Sequence, residues 1–195
     1  MPNNSQYTTI TEVENYLLQD IGSSFELQIT DWIIAMSNQV SLMTNREWLA
    51  SDTASDRYFN GNSSPYLKID EAVSVTKLYV GEDYGVNFVE KTNFITYPYN
   101  STPVKKLILT DDTFNCGIKN IKITAKWGYA LEVPKDIAFA TTVLVAGIVL
   151  NQTNQDGEIE SEKIGNYAVS YKTDEQKNDY KMAMDIINSR RIILL

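Results

Sequence analysis

Asp111 and Asp112 are the side chains of this sequence best suited to acid–base or metal chemistry, and they stand between Thr110 and Thr113. A working carboxylate pair must converge on one point. Adjacent residues of an extended chain point to opposite faces, so the pair reads first as a solvated turn between strands, where Asp is favoured. A small hydrolase using carboxylates alone is the enzymatic alternative. Asn154-Gln155-Asp156-Gly157 has the glycine of a calcium loop, but the first and twelfth positions are then Gln152 and Lys163. Such a loop needs an acid at the first and a bidentate Glu at the twelfth, so it is rejected. There is no histidine, which excludes His-dependent nucleophile systems and His-ligated zinc. The single cysteine, Cys116, cannot form an internal disulfide or a four-Cys metal site. The sequence therefore predicts no enzyme, no catalytic residue, no metal site and no cofactor.

Three charged or aromatic groups remain. Asp156, Glu158, Glu160 and Glu162 form an acidic stretch, read as a solvated loop or as a charged rim facing a partner or a DNA channel. Lys105, Lys106, Lys119, Lys122 and Lys126 form a modest basic cluster, short of the charge and aromatic platforms of a nucleic-acid site. Tyr79, Tyr84, Tyr97 and Tyr99 suit either stacking on a glycan or a protein interface.

These residues must be positioned by a packed chain. The sequence has 195 residues, is 43% hydrophobic and 22% charged, and carries a net charge of −8. That balance suits a globular protein and would repel a DNA duplex over most of its surface. No leader is expected from the polar start. The longest apolar stretch, Ile137 to Leu150, is too short for a bilayer and reads as a buried helix. No membrane association is expected.

Helical signals flank a strand-rich middle. Thr11 with Glu14, and Ser23 with Glu26, have capping-box spacing. Gly22 is the expected stop of the first helix, and the second is expected to run to about Arg46. Ile29, Trp32, Ile33, Met36, Val40 and Met43 share one face of that second helix. Strands are expected at 66–69, 73–80, 93–97, 106–109 and 118–127, the last with Ile121, Ile123, Ala125 and Trp127 on its buried face. A helix enters at Pro134, a glycine turn at Gly165 leads into a short strand, and Thr173 with Gln176 caps a last helix. Trp32, Ile33, Met36, Ile137, Leu144 and Ile148 are expected in one core. The expected fold class is α+β: a bundle of about four helices with an inserted antiparallel β module. The expected divisions are 1–52 for the N-terminal helices, 53–131 for the β module, and 132–195 for the remaining bundle and tail.

Gly128-Tyr129, then Val133-Pro134-Lys135-Asp136-Ile137, precede the long helix, and Ser161-Glu162-Lys163-Ile164-Gly165-Asn166-Tyr167-Ala168-Val169-Ser170-Tyr171 follows it. In order and spacing these segments resemble the head-tail connector (adaptor, or head completion) proteins of tailed bacteriophages. The resemblance extends over residues 8–190 in order of elements and is sharpest over 127–187. It implies a structural virion protein of the neck, assembled in the host cytoplasm. It implies a homo-oligomeric ring of about twelve subunits under the portal protein, meeting a stopper or tail-completion protein. Genomic DNA would pass through its channel without sequence-specific binding. Ile164, Gly165 and Tyr167 are then expected at a subunit or partner interface. Arg190, Arg191, Ile192, Ile193, Leu194 and Leu195 are expected either to dock on the portal or to extend the last helix into the chain's own core. The acidic residues Asp156, Glu158, Glu160 and Glu162 are expected to face the channel. The alternative is a tail or baseplate protein whose β module binds a host-surface glycan.

Overall fold

The computed structural model describes residues 6–153, 160–171 and 173–193. They form four α-helices and an antiparallel sheet with a separate hairpin, an α+β fold. Contacts divide the chain into a helical unit, 1–46 with 133–195, and a strand unit, 47–132.

In the helical unit, α1 spans Ile10–Leu17 and α2 spans Glu26–Thr44. The first cap lies two residues earlier than expected. The Thr9 hydroxyl accepts the Glu12 N–H, and the Glu12 carboxylate accepts the Thr9 N–H at 2.9 Å. Glu14, the expected partner of Thr11, instead accepts the Ile21 N–H. Leu18, in the left-handed region at φ 52°, ends the helix ahead of Gly22. Ser23–Phe25 makes one 3-10 turn before α2, which starts at Glu26 without a side-chain cap. Asn45, at φ 53°, closes α2 one residue short of the expected end.

The centre of this unit is α3, Lys135–Thr153, which packs against α1, α2, α4 (Asp174–Ser189) and a hairpin strand. Apolar residues surround it on all sides: Ile137, Leu144 and Ile148 are buried with Ile33 and Met36 of α2. Trp32, expected among them, is only half-buried. Two buried threonines do not disturb this core, because Thr141 and Thr142 donate to carbonyls one turn back at 2.8 and 2.9 Å. Thr142 also meets the Thr8 hydroxyl at 2.6 Å.

The strand unit is a six-stranded antiparallel sheet in the order β1-β6-β2-β5-β4, with β3 paired to the far part of β2. The strands are β1 Ser55–Gly61, β2 Tyr66–Glu82, β3 Val86–Lys91, β4 Phe94–Tyr97, β5 Val104–Leu109 and β6 Gly117–Trp127. The two strands expected at 66–69 and 73–80 are one. Register shifts between Lys68 and Ala72, and again near Val75, carry the chain through Asp70-Glu71 without ending the strand. The expected face of β6 is buried, Ile121, Ile123, Ala125 and Trp127 together, with Leu78, Leu107 and Phe114. Asn120 departs from the expected alternation. Lys119 takes φ 53°, the pairing with β1 shifts between Phe59 and Gly61, and Asn120 turns inward. Its amide there accepts the Gly61 N–H at 2.8 Å and donates to the Asn115 carbonyl at 2.9 Å.

Candidate assembly surfaces

The C-terminal segment is held against the helical unit as far as Ile192. Thr173 caps α4 through the Gln176 N–H, as the sequence predicts. The helix stops at Ser189, and residues 190–193 run on as irregular chain rather than as helix. Arg190 then sends Nε and Nη2 to the same carboxylate oxygen of Asp136, at 3.0 and 2.6 Å. Asp136 sits in the first turn of α3, so this pair ties the end of one helix to the start of another. Both side chains are solvated, so the pair orients more than it stabilises. Two residues on, the Ile192 N–H donates to the Thr44 carbonyl, and the Asn45 amide donates to the Ile192 carbonyl, each at 2.9 Å. The left-handed turn at Asn45 is what aims its amide there. Arg191 is exposed, and Ile193 is 76% exposed. Leu194 and Leu195 lie outside the described residues.

The second feature is the hairpin of β7 Glu160–Ile164 and β8 Tyr167–Tyr171, in register from Glu160 opposite Tyr171 to Ile164 opposite Tyr167. Gly165 makes the turn at φ 58°, where a side chain is strained. Gly147 of α3 lets β8 approach: a Cβ there would collide with the Val169 side chain. Of the residues expected at an interface, Ile164 is 5% exposed and packs into its own unit. Tyr167 is half-buried and Gly165 exposed. Asp156 and Glu158 lie outside the described residues. Glu160 and Glu162 belong to a strand rather than to the expected loop, because pairing with β8 carries the chain back to Glu160.

Sequence reasoning missed the polar ties that hold this hairpin and α1. The Tyr171 hydroxyl donates to Glu162 at 3.1 Å, and its ring lies 5.7 Å from that of Tyr180. The Tyr16 hydroxyl donates to Asp179 at 3.0 Å. No sequence spacing reveals contacts between residues 163 apart. Burial, with the Glu162 carboxylate beside it, pushes the Tyr180 phenol up to about 12. Burial and Asp179 raise that of Tyr16. In each case folding favours the neutral phenol, so the stabilisation is complete below about pH 10, where a free tyrosine titrates, and fades above it. We expect the melting temperature to fall as pH rises from about 10 toward 12, and Tyr180→Phe to flatten that fall. A profile unchanged in Tyr180→Phe would contradict this assignment.

In the strand unit, Asp111 and Asp112 occupy the turn between β5 and β6 with separate partners. Asp112 takes Lys91 at 2.7 Å and the Thr113 N–H, which hold its carboxyl below the usual range. Asp111 accepts from the Asn93 amide at 2.9 Å. Among the described residues no cluster of three or more His, Cys, Asp or Glu could hold a metal ion. The outer face of the sheet instead carries lysines over aromatic rings. Lys122 lies 4.3 Å from the Tyr79 ring centroid and 5.1 Å from that of Phe88. Lys106 lies 5.7 and 5.2 Å from those of Tyr66 and Tyr97.

Four helices with an inserted antiparallel sheet define an α+β chain. No family model and no curated protein match the sequence. Solved structures do match the fold. A chain in the neck of an empty GTA particle, computed with C6 symmetry, superposes with a TM-score of 0.62 at 12% identity, over 100% of this chain and 94% of that one. A chain in the neck of the native particle, computed with C12 symmetry, gives 0.58 at 13% identity, over 95% and 89%. A chain of the virion of the native gene transfer agent particle gives 0.50 at 16% identity, over 95% and 89%.

Proposed function

We propose that this chain is a structural protein of a virion neck, a head-tail connector that forms a ring under the portal and joins the capsid to the stopper or tail. The observation that carries the reading is end-to-end agreement. A neck chain of nearly the same length matches both the helical and the strand unit, with little left over on either side. The neck symmetries C6 and C12 are both satisfied by a ring of twelve. The net charge of −8 suits a channel through which DNA slides without adhering, and Asp156, Glu158, Glu160 and Glu162 are its proposed lining. Assembly takes place in the host cytoplasm, and the product resides in the virion.

The proposed portal contact is the tail beyond Arg190. Its anchors are the Asp136 pair and the Ile192 clamp on α2. A chain truncated after Ser189 loses those anchors, at an expected cost of about 1–2 kcal/mol, and should keep its helical signal. In co-sedimentation with the portal it should no longer bind. Binding at unchanged affinity would place the portal contact elsewhere.

A further inference from the structure

Two exposed surfaces of this chain have opposite character. The first lies on the outer face of the sheet, beside its edge strand β4. Cross-strand register puts Tyr66, Ile108 and Ile95 in one row and Lys68, Lys106 and Tyr97 in the next. Tyr99 stands edge-on to Tyr97, with ring centroids 5.3 Å apart. Tyr66, Ile95, Tyr97 and Tyr99 are all exposed. Lys68 and Lys106 have no carboxylate partner among the described residues, although the chain as a whole carries an excess of acid. The rows present apolar area and the positive charge of Lys68 and Lys106.

The second surface is the corner between α1 and α2. Leu18 is 92% exposed and Leu27 is 85% exposed, with Phe25 also in solvent. From residue 1 to residue 45 the sequence has no lysine or arginine, while Glu12, Glu14, Asp20, Glu26 and Asp31 fall in the same stretch. This corner presents large apolar side chains within a stretch that carries five acidic residues and no basic one. Large apolar side chains left in water at two such places mark association surfaces, and the signs are complementary.

We infer that the Lys68/Lys106/Tyr97 face of one copy docks on the Leu18/Leu27 corner of the next copy. The contact joins two different patches, so it is head-to-tail and repeats around a closed ring. The apolar side chains supply the buried area, and the charges select the partner and the register. The inference rests on the ring reading proposed above, and it names the surfaces that build the ring.

The test uses the full chain in sedimentation velocity over a concentration series, with circular dichroism to confirm folding. Wild-type protein should associate, and should do so less at high salt, where exposed charges are screened. Lys68→Glu with Lys106→Glu should weaken association about tenfold or more. Glu26→Lys with Asp31→Lys should do the same, and an equimolar mixture of the two double variants should recover mixed pairs through the reversed contact. Association of the Lys68/Lys106 variant at wild-type strength overturns the proposed contact and leaves a ring built through other surfaces. If that variant associates normally but loses retention on host-surface glycan, the face is a glycan platform and the self-contact is wrong. A wild-type chain that stays monomeric at every concentration yet joins the portal overturns the self-contact and leaves the neck reading standing.

Discussion

Leu144→Ala should destabilise the helical unit by about 2–5 kcal/mol, the transfer term of the lost side chain plus the cavity it leaves. Leu144 sits in the middle of α3 with no exposed surface. Helices α1, α2 and α4 and strand β8 all pack on α3, so no single neighbour can move in to fill the gap without leaving another. The loss lies at the upper end of that range if the threonine ties of α3 hold the helix in place while the cavity stays open. Chemical denaturation reads the result directly. A variant as stable as wild type would show that α3 is peripheral.

Gly128→Ala should be comparably damaging in the strand unit, by about 2–5 kcal/mol from backbone strain and overpacking together. Gly128 has φ 134°, a conformation that side chains resist, and its N–H donates to the Glu71 carbonyl at 2.8 Å. A Cβ there would lie 2.5 Å from the Ala50 Cα and 2.8 Å from the Leu49 carbonyl oxygen. Both are backbone atoms, so no side-chain rotation relieves the clash. Around this point the chain entering the sheet is bonded to the chain leaving it: Ala50 donates to the Ala130 carbonyl, and Tyr129 to that of Glu47. We expect Trp48, whose ring packs 4.9 Å from that of Tyr129, to report the loss by fluorescence. Wild-type stability in Gly128→Ala would mean that the two backbone segments separate freely.

Elements with strong local signals were legible in the sequence. α3 is apolar on every side, and the β6 residues from Ile121 to Trp127 alternate cleanly. Thr173 and Gln176 have the spacing of a cap that the structure forms. Elements whose identity comes from pairing were not legible. β1, Ser-Asp-Arg-Tyr-Phe-Asn-Gly, has no apolar alternation, and its strand conformation comes from β6 beside it. β3 follows a turn in which Tyr84 and Gly85 both take positive φ, and Val86 and Val89 remain exposed, so periodicity gave no sign of it. β7 looked like an acidic loop because its charges hide a strand that exists through its register with β8. The interface candidates divide for the same reason. The tail stands out by composition alone, whereas the inward turn of Ile164 and the lysine–tyrosine rows depend on strand parity across several chain segments.

The proposed neck role of this chain can be read from a reconstruction of the particle neck by electron cryomicroscopy. The expected map has a closed ring of this chain immediately below the portal, with both units of each subunit accounted for and DNA or an open channel on the axis. Finding this chain only at the tail tip or baseplate, or finding the portal joined to the stopper with no density for it, would contradict the account.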